Sequence, residues 1–286
     1  MPELPEVEIV KQSLEKTIVS KKINKLIIFN RNLRFKVQKN LSKLIVQKKI
    51  IRLIRISKYL IFEFKQNCYL LIHLGMSGTL HLVKDNNILK TNLSFYHSSD
   101  LPKKHNHIEF NFTKFKVIYN DPRRFGFIKY FSSKLKLDFY LSRLGLEPLD
   151  KKFNVNYLKK KLTNKDKNIK NFLLDQKYVS GIGNIYANEI LFCSKIHPLR
   201  LCKTLNDKEI KRIVYNSKKV LEAAIKKGGS SIRNFKNSVG KSGNYQKEFL
   251  VYDQESKICA SLNCNIKIMK IFISNRSSYF CKNCQK

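Results

Sequence analysis

Four cysteines close the chain at a fixed spacing, Cys259-x4-Cys264-x16-Cys281-x2-Cys284. Two closely spaced pairs separated by a hairpin-length insert suit a ribbon whose four thiolates hold one tetrahedral Zn2+. Four thiolates leave no open coordination position, so the ion is expected to be structural rather than catalytic. The insert contains two strand-like runs, IKIMKIFI and SSYF, with Asn275 and Arg276 at the tip between them. Cys68, Cys193 and Cys202 stand alone, mostly within apolar stretches, where a thiol serves as a small buried side chain. An intracellular chain uses a cysteine cluster for metal rather than for disulfides.

The 286 residues include 57 Lys and Arg against 21 Asp and Glu, a net charge of +36. An excess of this size points to a polyanionic partner, because each phosphate contact displaces condensed counterions. The chain is also crowded with Lys, Asn and Ile, as an AT-biased genome produces, so charge alone does not identify the partner. A hydrophobic content of 43% supports real cores and excludes wholesale disorder. No apolar run approaches the roughly 18 residues of a membrane span. The opening MPELPEVE is acidic with no apolar stretch behind it, unlike a signal peptide. A cytoplasmic location without a membrane partner is expected.

Periodicity divides the chain. Pro5 suits a first helical turn, Glu6 and Glu8 favour its positive end, and Val7, Val10 and Leu14 give the helix a buried stripe. Strand-like runs follow: IIRLIRI (50–56), YLIFEF (59–64), LLIHLGM, GTLHLV, HIEFNF (107–112), KVIYN and FGFIKYF. Such closely spaced short strands predict a β-sandwich or flattened barrel. From about residue 153 the period turns helical. Ile169, Phe172, Leu173 and Gln176 mark one face. Asn184 opens a second helix. A third, from Asp207 to about Lys227, carries Ile210, Ile213, Val214, Leu221, Ala224 and Ile225. Asn206 and Glu209 resemble a capping box, and Gly228-Gly229 ends the helix. The expected α+β organisation is a sandwich with leading helix over 1–135, a linker over 136–152 and helices over 153–229. A small, polar loop and following segment then span 230–250, and the ribbon spans 251–286.

Two further features carry chemistry. Gly181-Ile182-Gly183-Asn184 frees the backbone at a helix N-terminus, which suits either a phosphate or an ordinary glycine-capped corner. Pro2 follows the initiator methionine. Removal of Met1 exposes a secondary amine, which can attack a sugar C1′ and form an iminium. An α-amino group near pKa ~8 is about 10% free base at pH 7, against about 0.04% for a lysine near ~10.4. By itself, Met-Pro is only a start.

In order along the chain, MPELPEVE, SKYL (57–60), HLGMSG (73–78), KHNH (104–107), DPRRFG (121–126), LGLEPL (144–149), GIGNIYANE (181–189), GGSSIRNF (228–235) and the cysteine ribbon resemble the formamidopyrimidine-DNA glycosylase family. The resemblance spans essentially the whole chain. It implies a β-sandwich, a helix-two-turns-helix domain and a zinc ribbon, with duplex DNA between the domains. It also implies excision of 8-oxoguanine and formamidopyrimidines, then β,δ-elimination at the abasic site, with no redox cofactor. By the same resemblance Pro2 is the nucleophile and Glu3 the acid that assists ring opening or base departure. Lys58 and Arg276 assist elimination and grip phosphate. Met76, Arg123 and Phe125 fill the hole left by the flipped nucleotide, with Arg123 reading an orphaned cytosine. His105, Asn184 and Arg124 clamp phosphates, Glu6 and Glu189 occupy acidic positions near the site, and the 230–246 loop closes over the extruded base. A monomer is expected.

Three features depart from the pattern. The first cysteine pair is spaced by four residues, where two is commoner. Ile266 replaces a usually small residue. Asp166 stands where a DNA-contacting base is usual, so Lys165 or Lys167 is expected to substitute. Two alternatives are an oxidised-pyrimidine glycosylase of the same fold and a catalytically decayed DNA-binding protein. Leu4 and the complete Met76, Arg123 and Phe125 trio argue against the first; intact Pro2, Glu3 and Lys58 argue against the second.

Overall fold

The computed structural model describes residues 2–84, 91–93, 103–230 and 244–286. Met1 and residues 231–243, which hold most of the expected capping loop, lie outside the described residues. The chain forms two compact units. One comprises Met1–Ser142 with Lys227–Gln246, the other Arg143–Lys226 with Lys247–Lys286.

The first unit begins with helix α1 (Leu4–Ile18), followed by strand β1 (Lys25–Ile28), helix α2 (Leu41–Ile45) and strands β2 (Ile50–Ile56), β3 (Tyr59–Phe64), β4 (Cys68–His73) and β5 (Thr79–Lys84). Strands β6 (Thr91–Leu93), β7 (Asn106–Asn111), β8 (Phe115–Asn120) and β9 (Phe127–Phe131) and helix α3 (Lys134–Leu141) complete it. Two antiparallel sheets, ordered β1-β7-β8-β5-β6 and β2-β3-β4-β9, enclose one core. The expected sandwich is therefore present. Alternation along YLIFEF and NHIEFN turns Phe62 and Phe110 inward, where their rings lie 6.0 Å apart across the two sheets. Val7, Val10, Leu14 and Ile18 of α1 extend that core.

Helix α3 fills part of the stretch expected as a linker. Its sequence, KLKLDFYL, has apolar residues at every second position, a strand-like period that concealed a helix. Ser133 caps it by accepting from the Lys136 amide. In helical form only Leu137 and Leu141 are buried, and Leu135 and Phe139 are left in solvent.

The second unit holds helices α4 (Val155–Leu162), α5 (Ile169–Leu174), α6 (Asn184–Cys193) and α7 (Asp207–Lys226) and the hairpin β10 (Met269–Ile273) and β11 (Arg276–Phe280). Ile185–Phe192 of α6 are all buried, so this helix is the hub that α5, α7 and β11 surround. The α7 capping box forms as expected: Asn206 N–H donates to Glu209 Oε2 and Glu209 N–H to Asn206 Oδ1, both at 2.9 Å. Its buried face uses Ser217 and Val220 where Val214 and Ile225 were expected; both of those are half-buried. Gln176 lies beyond the end of α5. Its amide braces the glycine turn instead, accepting from Gly181 N–H at 2.8 Å and donating to the Ile182 carbonyl at 2.9 Å.

Candidate active site

Pro2 is buried immediately before α1. Glu3 is the N-cap residue, 2% exposed, and its N–H donates to Glu6 Oε2 at 2.9 Å. Glu6 is also buried, and its Oε1 accepts from both the amide and the hydroxyl of Ser230 at 2.9 Å. Gly229, at φ +79, packs against the same carboxylate, where an added Cβ would lie 3.3 Å from Oε1. Glu6 thus ties Gly229 and Ser230 to the helix that Pro2 precedes.

Lys58 sits in the two-residue turn between β2 and β3, since Ile56 pairs with Tyr59. Ser57 makes the turn at φ 56, and Lys58 itself is buried. The turn is anchored by Arg55, which sequence reasoning missed. Its Nε donates to Glu8 on α1 at 2.8 Å and its Nη1 to the Ser57 carbonyl at 3.0 Å. One guanidinium therefore joins the helix after Pro2 to the turn that carries Lys58.

His73 ends β4 with Nδ1 buried and without a hydrogen-bond partner. Burial, reinforced by the positive charges of Lys58 and Arg34, pushes the imidazole down to about 3. It therefore stays neutral beside two cations. His73 lines a cavity of about 750 Å3 with Arg34, Met76, Arg123, Arg124 and Phe125. Met76 and Phe125 are exposed, and the Arg123 guanidinium lies 5.4 Å from the Phe125 ring centre. The structure thus brings the three expected void-filling side chains around one cavity. Arg124, exposed at φ 55, lines it too.

Asp121 organises these loops. It is fully buried, and Oδ2 accepts from Gly126 N–H at 2.8 Å and Tyr119 O–H at 3.1 Å. Oδ1 accepts from Ser77 O–H, and Ser77 Oγ accepts from Arg123 N–H at 3.2 Å. The loop with Met76 and the loop with Arg123 and Phe125 are therefore held by one carboxylate. Two glycines make their approach possible: a Cβ on Gly75 would meet Gly126 N at 2.5 Å, and one on Gly126 would meet Tyr119 Oη at 2.0 Å. His105, in a short 3-10 turn, is half-exposed, and its carbonyl accepts from Asp121 N–H at 3.0 Å.

In the second unit Arg276 is exposed just after the β10–β11 turn, whose residues Ser274 and Asn275 both have positive φ, as tight hairpins require. The next residue is held from below. Lys170, fully buried, donates from Nζ to the Ser277 carbonyl at 2.8 Å, and Asn184 Nδ2 donates to the same oxygen at 3.0 Å. Asn184 Oδ1 is buried without a partner. Lys165 is half-exposed, with Nζ 5.6 Å from the Tyr178 ring centre. Lys167 is paired with Asp175 at 3.0 Å, and Asp166 with Lys203 at 2.5 Å. Of the two candidate substitutes, Lys165 makes no ion pair among the described residues. Glu189 accepts three backbone amides, from Leu250, Val251 and Tyr252, at 2.8–3.0 Å.

The sulfurs of Cys259, Cys264, Cys281 and Cys284 all lie within 4.8 Å of one another. Cys259 to Cys284 is 3.8 Å and Cys264 to Cys281 is 3.6 Å. A disulfide needs ~2.05 Å. Four thiolates at about 2.3 Å from one tetrahedral ion stand roughly 3.8 Å apart, so this donor set fits a metal. Phe192, Val251, Ile268 and Tyr279 pack around the cysteines, so the ribbon also has an apolar core.

Comparison with known proteins assigns both units to one class of DNA glycosylases. Residues 1–128 match the formamidopyrimidine-DNA glycosylase N-terminal domain, and residues 144–236 match the formamidopyrimidine-DNA glycosylase H2TH domain. The chain is 42% identical to the formamidopyrimidine-DNA glycosylase of Rickettsia bellii and 38% identical to that of Wolbachia pipientis, each covering all of both chains. Among solved structures it is similar to a Lactococcus lactis Fpg variant in complex with Fapy-dG-containing DNA, at 33% identity, TM-score 0.88 and complete coverage of both chains. A complex of Lactococcus lactis Fpg with abasic-site DNA matches at 34% identity, TM-score 0.86 and 99% of both chains. The chain belongs to the formamidopyrimidine-DNA glycosylase family.

Proposed function

We propose that this chain is a base-excision repair enzyme that removes oxidised purines, 8-oxoguanine and formamidopyrimidines, from duplex DNA and then cleaves the strand. Full-length family membership supports the reaction, and relatives bound to Fapy-dG and abasic-site DNA support the substrate. The observation that carries the reading is the buried Pro2-Glu3 pair before α1, linked through Glu8 and Arg55 to the turn of Lys58.

In this reading Pro2, freed of Met1, attacks C1′ through its amine. Glu3 supplies the proton for ring opening or base departure. The iminium acidifies the 2′ protons, and Lys58 serves the first elimination. Arg276 serves the second and grips phosphate. Met76, Arg123 and Phe125 fill the vacated stack, with Arg123 donating to the orphaned cytosine. His105, Arg124, Asn184 and Lys165 hold the backbone. Cys259, Cys264, Cys281 and Cys284 hold one structural Zn2+, which fixes the hairpin that presents Arg276. The enzyme acts as a monomer in the bacterial cytoplasm.

Borohydride trapping on duplex containing 8-oxoguanine opposite cytosine tests the reading. A covalent protein–DNA adduct with strand nicking is expected. Binding with neither adduct nor nick would leave only a DNA-binding protein, and efficient trapping on an oxidised pyrimidine but not on 8-oxoguanine would reassign the substrate.

A further inference from the structure

Helix α3 presents a second apolar face that the fold does not use. Leu135 is 80% exposed and Phe139 is 83% exposed, one helical turn apart on the same side. They line a groove of about 850 Å3 together with Phe131 and Tyr140. Lys129 and Lys136 also line it, and Lys129 Nζ sits 4.5 Å from the Tyr140 ring centre and 5.6 Å from that of Phe131. No carboxylate lines the groove among the described residues. Asp138, on the same helix, is paired with Lys134 at 2.5 Å.

We propose that this groove docks an acidic, amphipathic helical segment of another protein, seating bulky apolar side chains against Leu135 and Phe139 and carboxylates beside Lys129 and Lys136. The charge distribution selects this occupant. DNA would satisfy the lysines but gain nothing from two large apolar side chains. A second copy of the chain would bring its own net charge of +36 against a basic face. An acidic helix with apolar residues four apart satisfies both halves of the groove.

The probe is a short fluorescein-labelled helical peptide rich in Asp and Glu, with Leu and Phe four residues apart. It is compared with a counterpart in which every acid is Lys. Full-length protein is expected to bind the acidic peptide and to bind the Lys peptide far more weakly. Leu135→Ser combined with Phe139→Ser should weaken acidic-peptide binding roughly tenfold or more, as losing apolar anchors does. Both positions are exposed, so nicking of abasic-site DNA by this variant should be unchanged. Lys129→Glu should also weaken the peptide. Equal affinity for both peptides, no binding below millimolar, or binding indifferent to the double substitution would overturn the proposal. Concentration-dependent dimerisation of the wild type that the double variant loses would overturn it in favour of self-association. Because nicking is measured on the same proteins, failure of the groove is distinguishable from failure of the enzymatic reading.

Discussion

Asp121 has no exposed surface, yet it sets the positions of three exposed side chains through Ser77, Gly126 and the Arg123 amide. Arg123→Ala should flatten the preference for lesions opposite cytosine over adenine, since a bidentate base contact contributes roughly 1–3 kcal/mol of discrimination. Asp121→Asn keeps the shape but loses an acceptor, and should reduce the same ratio while costing about 1–3 kcal/mol of stability. Single-turnover excision on the two duplexes measures it; an unchanged ratio in Arg123→Ala would remove that residue from the role. His73 makes a separate prediction. Its imidazole is held down to about 3 in the fold, chiefly by burial, and rises to ~6.5 on unfolding. The unfolded chain therefore takes up a proton that the folded one refuses, and stability present above pH ~6.5 falls as the pH drops toward ~3. His73→Gln should spare roughly 2 kcal/mol of that loss by pH ~5. Denaturant curves at neutral and acidic pH for both proteins compare the losses, and equal acid sensitivity would contradict the assignment.

At the scale of elements, the cysteine hairpin is held from two directions. Metal-fitting thiolates from the segments flanking it cluster together, and Lys170, Asn184, Asn188 and Glu189 grip its backbone and that of the approaching chain. Zinc removal should therefore loosen β10–β11 and weaken DNA binding while the sandwich stays folded, because metal-binding free energy in such ribbons is folding free energy. Hydrogen exchange after chelation reads this directly: protection lost over 269–280 and kept over 59–73 is expected. Unchanged hairpin protection, or native protein without stoichiometric zinc, would contradict it. Most elements were legible in the sequence because their periods are clean; IIRLIRI and YLIFEF read as strands and form β2 and β3. Helix α3 was not, because its apolar residues alternate as in a strand. The cysteines stood out by type and spacing, whereas Pro2 and the loop trio acquired roles only through the family resemblance of the motifs around them. Arg55 and Lys170 did not, since their meaning depends on Glu8 and Ser277, 47 and 107 residues away, and no local pattern marks such pairs.

For the whole molecule, the charge of +36 becomes informative only when referred to DNA. With several phosphates clamped, log affinity should fall against log salt by about 0.9 per phosphate neutralised. A slope shallower than about −2 would mean that most of the excess charge faces away from DNA. The central claim is covalent catalysis by the amino-terminal proline, and it admits a direct measurement. Mature protein is trapped with borohydride on 8-oxoguanine duplex, digested, and the sugar-bearing peptide sequenced. A chain beginning at Pro2 with the sugar on its nitrogen is expected, with no trapping or nicking, but surviving duplex binding, when Met1 is retained. Recovery of the sugar on Lys58 would contradict it.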